Sequence, residues 1–161
     1  MTLGLSMAAF TQLHVILSLV GIATGFVVVL GLIAAKQMPR WTVLFLITTA
    51  LTSITGFMFP FKGVTPGIVI GILSIITLLL AVMARYGRHL AGPWRGVYVI
   101  ATVLAQFFNF FVLIVQSFEK VPALKALAPT QAELPFKAAQ LAALALFTVL
   151  TVLAYRKFHA A

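Results

Sequence analysis

The stretch GVYVIATVLAQFFNFFVLIVQSF, Gly96–Phe118, carries no charged side chain, yet it holds three amides, Gln106, Asn109 and Gln116. A helix that crosses the hydrocarbon of a bilayer needs about 20 predominantly apolar residues. This run meets that length, so its amides need partners that lipid does not supply. On a helix turning about 100° per residue, Thr102, Gln106, Asn109, Leu113, Gln116 and Ser117 share one face about 100° wide. Leu104, Phe107, Phe111 and Phe118 point the opposite way. The spacing predicts a spanning helix with its amides turned toward other helices and its aromatic rings toward lipid.

Four more runs of comparable character flank it, at about Phe10–Ala34, Trp41–Phe59, Pro66–Ala84 and Phe136–Tyr155. Backbone groups in hydrocarbon must be satisfied within their own segment, so each run is expected to be helical. Pro66 and Pro135 stand where a proline opens a helix. The expected fold is an all-α membrane protein: residues 1–161 form one domain, a single bundle of five transmembrane helices.

Composition agrees. The 161 residues are 63% hydrophobic and 8% charged, with mean hydropathy +1.17. Soluble chains carry about 25% charged residues, so this one has too few polar groups to cover its own surface in water. The first run is expected to be a retained span rather than a cleaved signal peptide. It is longer than a signal h-region, and residues 1–9 lack a side-chain positive charge.

The formal charge of +9 comes from eleven Lys and Arg against two acids. In a soluble protein that excess would suggest nucleic acid. Here the cations sit between the apolar runs, where membrane orientation and anionic head groups account for them, so no nucleic-acid partner is expected. Lys36, Arg40, Arg85, Arg88, Arg95, Arg156 and Lys157 fall on one side of the bundle, and Lys62, Lys120, Lys125 and Lys137 on the other. The richer side is expected to be cytoplasmic, which puts the N-terminus outside and the C-terminus in the cytoplasm. Trp41, Tyr86, Trp94, Tyr98 and Tyr155 fall near that cytoplasmic boundary, as interfacial rings should, while Phe57, Phe59, Phe61, Phe118 and Phe136 mark the outer one.

Four residues are candidate ligand-binding groups: His14, Gln106, Asn109 and Gln116. An intramembrane histidine is a functional candidate by default, and three amides in register can line a pocket. The competing role is adhesive, since amides hydrogen-bonded across helices hold membrane bundles together at about 0.6–2 kcal/mol each. The small-residue pattern GIATG, Gly21–Gly25, is expected to serve close packing inside the bundle. Thr48, Thr52, Thr55 and Gly56 share a face of the second run, where threonine hydroxyls can bond their own helix carbonyls.

No catalytic residue, metal site or cofactor is expected, and the chain is read as a non-enzyme. Cysteine and Asp are absent, and the two acids, Glu119 and Glu133, are expected to fall in one loop. That excludes thiol chemistry, paired intramembrane carboxylates and acid-relay proton carriers. Phosphate-cradling glycine motifs are missing too. His89 and His159 lie about a bilayer away from His14, which disfavours bis-histidine haem ligation. The long connection EKVPALKALAPTQAELP, Glu119–Pro135, holds three prolines that rule out a continuous helix. ALKAL within it is expected to form a short interfacial turn, and the segment is either a plain linker or a lid over the outer end of the amide face.

The motifs TGFMFPF, ARYGRHLAGPWRGVYV and KVPALKALAPTQAELPF make most of the chain resemble small multi-pass bacterial inner-membrane proteins of uncharacterised activity. The resemblance implies a bacterial inner (plasma) membrane and brings no activity. The chain is not similar to the tryptophan-rich sensory proteins or to membrane thiol oxidoreductases. The expected function is a structural, accessory or assembly partner within that membrane, its partners being membrane lipids and a second copy or another membrane protein. The alternative is binding or transport of a small neutral or lipid-like molecule in an amide-lined pocket, and a more distant one is a haem or redox membrane protein through His14.

Overall fold

The computed structural model describes residues 4–60 and 63–159, so Phe61 and Lys62 lie outside the described residues. Among the described residues five helices are long and apolar enough to cross a membrane, and the chain is a multi-pass, helical membrane protein. The first, α1, is Met7–Ile33; it starts where the Ser6 hydroxyl accepts a bond from the Ala9 N–H. Next comes α2, Pro39–Phe57, with its proline in the first turn. Thr65 caps α3, Pro66–Val82, which runs on through a π-helical turn, Met83–Gly87. The central helix α4 is Trp94–Lys120. A short α5, Pro122–Leu127, realises the expected ALKAL turn, and α6 is Leu134–Lys157. The spans begin at or before the positions expected from the apolar runs, with residues 7–9, 39–40, 94–95 and 134–135 added at their starts.

Helices α1 to α4 close a ring in which each packs on the next and α4 returns to α1. The sixth helix lies across the groove between α1 and α4. Half of the most apolar window of α4 is buried, against 17% for α6. This arrangement corrects one expectation. The aromatic face of α4 was expected to meet lipid, but Phe107 stacks at 5.6 Å on Phe147 of α6 and Phe118 at 5.4 Å on Phe136, with Phe118 buried. Leu104 alone of that set stays largely exposed. A central helix has two covered faces, and the rings fill the second.

Tyr98 also departs from its expected place among the interfacial rings. Trp41, Tyr86 and Tyr155 are exposed, but Tyr98 is fully buried among α2, α4 and the π-turn.

The connection before α6 is pinned rather than draped. Gln131 donates its side-chain N–H to the Val115 carbonyl of α4 at 3.0 Å. Glu133, the N-cap of α6, accepts from the Thr130 hydroxyl at 2.8 Å, from the Thr130 N–H at 3.3 Å and from the Ala132 N–H at 3.1 Å. The Thr130 hydroxyl first, and then the backbone amides, favour the ionised carboxylate and hold its pKa below the ordinary glutamate range. The folded value lies below the unfolded one. The bonds therefore contribute fully above about pH 4.3, the ordinary glutamate value, and are lost as pH falls through the lowered one. Hydrogen-exchange protection at Thr130 and Ala132 should persist from neutrality down to that range and then drop, and Glu133→Ala should remove it at neutral pH. Unchanged protection in that variant would show that the loop is ordered by something else.

Candidate functional site: a polar seam between three helices

The inward side chains of α1, α2 and α4 build one polar seam that runs nearly the length of the bundle. At its centre Gln106 is fully buried and donates Nε2–H to the Ile22 carbonyl of α1 at 2.8 Å. That acceptor fixes which end of the amide faces α1, because the oxygen would meet another oxygen there. Gln106 fits because position 25 is glycine: a Cβ there would overlap the Gln106 amide oxygen and carbon and lie 2.8 Å from the Phe45 ring.

One turn further along α4, Asn109 donates Nδ2–H to the Thr49 hydroxyl oxygen of α2 at 2.9 Å. Gly21 makes room for this pair, since a Cβ there would stand 3.3 Å from Thr49 Oγ1 and 3.7 Å from Asn109 Nδ2. The GIATG pattern thus serves intramolecular packing, with polar and aromatic side chains of α2 and α4 filling the space.

Toward the start of α1, half-buried His14 places Nδ1 2.8 Å from the Thr55 hydroxyl oxygen. Thr55 spends its own hydrogen on the Leu51 carbonyl at 2.7 Å. His14 Nδ1 is therefore the donor in this pair. The Phe59 ring stands edge-on to the imidazole at 5.2 Å.

No family model, curated protein or solved structure matches the chain. Chemistry therefore rests on the seam itself. His14, Gln106 and Asn109 all face it but do not converge: His14 and Gln106 act on α1 positions eight residues apart, about 12 Å along the helix. Gln116 is half-buried, and among the described residues its side chain has no hydrogen-bond partner. Thr48 and Thr55 bond carbonyls of their own helix, at Leu44 and Leu51.

Three buried oxygens near the seam have no partner among the described residues: Gln106 Oε1, Thr102 Oγ1 and Thr52 Oγ1. A buried acceptor left unpaired costs about 1–3 kcal/mol, so each is a place where a small donor would be welcome. Among the described residues no three His, Cys, Asp or Glu side chains cluster as metal ligands would.

Sequence reasoning missed Thr49, which lies off the Thr48–Thr52–Thr55 face. It also read Arg85 as a topology charge, whereas its side chain is buried at the far end of the seam. Periodicity on α4 located Gln106 and Asn109. Nothing in the sequence could name their partners on α1 and α2.

Proposed function

We propose that the chain is a small integral protein of a bacterial inner membrane that serves as a structural, accessory or assembly partner. One observation carries this reading: Gln106, Asn109 and His14 each spend a hydrogen bond on a neighbouring helix. Their polarity holds α1, α2 and α4 together as a preorganised block. The outward surface of α6 is left over for a partner, with Ala138, Leu141, Ala142 and Ala145 all exposed. Small side chains let a second helix approach closely. The excess of cations around the α1–α2 and α3–α4 connections and in the last turn of α6 supports a cytoplasmic C-terminus and an outer N-terminus.

A photo-crosslinking side chain at Leu141 or Ala145, activated in native membranes, should yield a discrete protein adduct, either a second copy or another membrane protein. The same probe at Ile76 or Leu79 on α3 serves as the lipid-facing reference. Lipid adducts alone at all four positions would end the assembly reading.

A second reading draws on the unpartnered oxygens of Gln106, Thr102 and Thr52. A small neutral molecule with hydrogen-bond donors would satisfy them. In that case His14, Gln106, Asn109 and Gln116 line its path.

A further inference from the structure

Among the described residues Arg85 is the only buried charged side chain, 8% exposed. The π-helical turn Met83–Gly87 produces that burial. Its widened loop closes with the Arg88 N–H on the Met83 carbonyl at 2.8 Å, and the Leu90 N–H reaches the Ala84 carbonyl at 2.9 Å. His89 and Leu90 then sit in left-handed backbone, at φ 49° and 59°, with Leu90 buried in the core. Such strain in two successive non-glycine residues persists only where packing over-determines it. Single π-turns of this kind recur at functional sites.

Among the described residues the hydrogen-bond and ring partners of the guanidinium are neutral. Nη1–H donates to the Tyr98 hydroxyl at 3.2 Å, and that hydroxyl lies 3.4 Å from Thr42 Oγ1. The guanidinium carbon stands 5.3 Å from the Tyr98 ring centre and 5.7 Å from that of Tyr86. The chain's two carboxylate side chains are far away: Glu119 follows Tyr98 by six turns of α4, about 30 Å. A buried cation without a counter-charge is unfavourable, and of the guanidinium's five donors only one, on Nη1, has a partner among the described residues.

We propose that Arg85 is the centre of an anion site that takes the phosphate of an anionic lipid head group. Depth favours lipid. Arg85 lies in the last turn of the span Pro66–Gly87. At the same end, exposed Tyr86 and Tyr155 and half-buried Trp94 mark the level at which amphipathic rings meet head groups. The planar guanidinium fork matches two phosphate oxygens. Its neighbours Arg88 and Arg95 are engaged elsewhere. Arg88 stacks on Trp94 at 5.2 Å, and Arg95 stacks on Tyr155 at 5.1 Å and donates to the carbonyls of Tyr155 and Phe158.

Native mass spectrometry of the full chain in a neutral detergent tests this, with phosphatidylglycerol, phosphatidylcholine and inorganic phosphate as the added probes. The wild type should bind phosphatidylglycerol in preference to phosphatidylcholine, and inorganic phosphate should not displace it. Arg85→Gln should weaken that binding at least about tenfold, the factor one bond to an ionised group supplies. Arg85→Lys keeps the charge and the aliphatic stem but loses the fork, so it should also bind more weakly. It carries the test where Arg85→Gln does not fold. Arg88→Gln should bind as the wild type does.

Wild-type affinity in both Arg85 variants would overturn the proposal, and so would an equal loss in Arg88→Gln, which would mean diffuse attraction. Displacement by inorganic phosphate would assign the site to the free ion instead.

Discussion

Gly25→Ala lowers the unfolding midpoint of the protein in detergent by roughly 5 °C, from an overpacking cost of about 1–3 kcal/mol. The new methyl would occupy the space of the Gln106 amide and press on Phe45, 2.8 Å away. Gln106 cannot swing aside cheaply, because it is fully buried and tied through Nε2 to the Ile22 carbonyl. Either the bond breaks or α1 and α4 move apart. The same change at Gly21 should cost less, since a Cβ there comes no closer than 3.3 Å to Thr49 Oγ1.

The decisive comparison is the double variant Gly25→Ala, Gln106→Ala. Removing the amide clears the overlap and also removes the unpartnered Oε1. The pair should be more stable than Gly25→Ala alone, a coupling typical of residues in direct contact. Additive losses, or no loss at Gly25, would mean that α1 and α4 do not approach as closely as described.

Phe147→Ala is the second large effect, and it acts on a different joint. Only Ala143, Phe147 and Ala154 of α6 are buried. Phe147 sits among Phe26 of α1 at 5.9 Å and Phe107 and Phe110 of α4, each at 5.6 Å. In water a Phe→Ala change in a core costs about 3–5 kcal/mol, of which part is transfer from solvent. Around a membrane bundle lipid replaces water, so the transfer part largely vanishes. What remains is lost dispersion and the aromatic pairs, at about 0.5–1.5 kcal/mol each. A loss of about 2–4 kcal/mol is expected, concentrated on α6. Hydrogen exchange should accelerate along α6 while α1 and α2, held by Asn109–Thr49 and His14–Thr55, keep their protection. Acceleration spread evenly over all helices would show that α6 is not separately anchored.

The α4 stripe shows how far sequence reasoning reached. Its period placed Gln106 and Asn109 on one inward face, and both do face the bundle. The same period sent Phe107 and Phe118 to lipid, and there it failed. An aromatic ring is equally at home against acyl chains or against Phe147, so apolarity cannot report which of the two it meets. The burial of Arg85 was hidden for a related reason. Read along the chain it is one of three arginines in a connection, and only the π-turn brings it inward against Tyr98. Thr49 was invisible because its role depends on the register of α2 against α4, which no local pattern encodes.

The amino-acid sequence by itself determined the medium, the number of spans and their approximate ends. Those follow from local quantities: the length of an apolar run, and the need of each backbone group to find its partner within that run. Only the tertiary structure decided which faces are covered, which carbonyl or hydroxyl answers each amide, and that one arginine is turned inward against a tyrosine with no carboxylate partner among the described residues. These depend on how helices distant in sequence cross, and hydropathy is silent on that because lipid and protein interior are almost equally apolar.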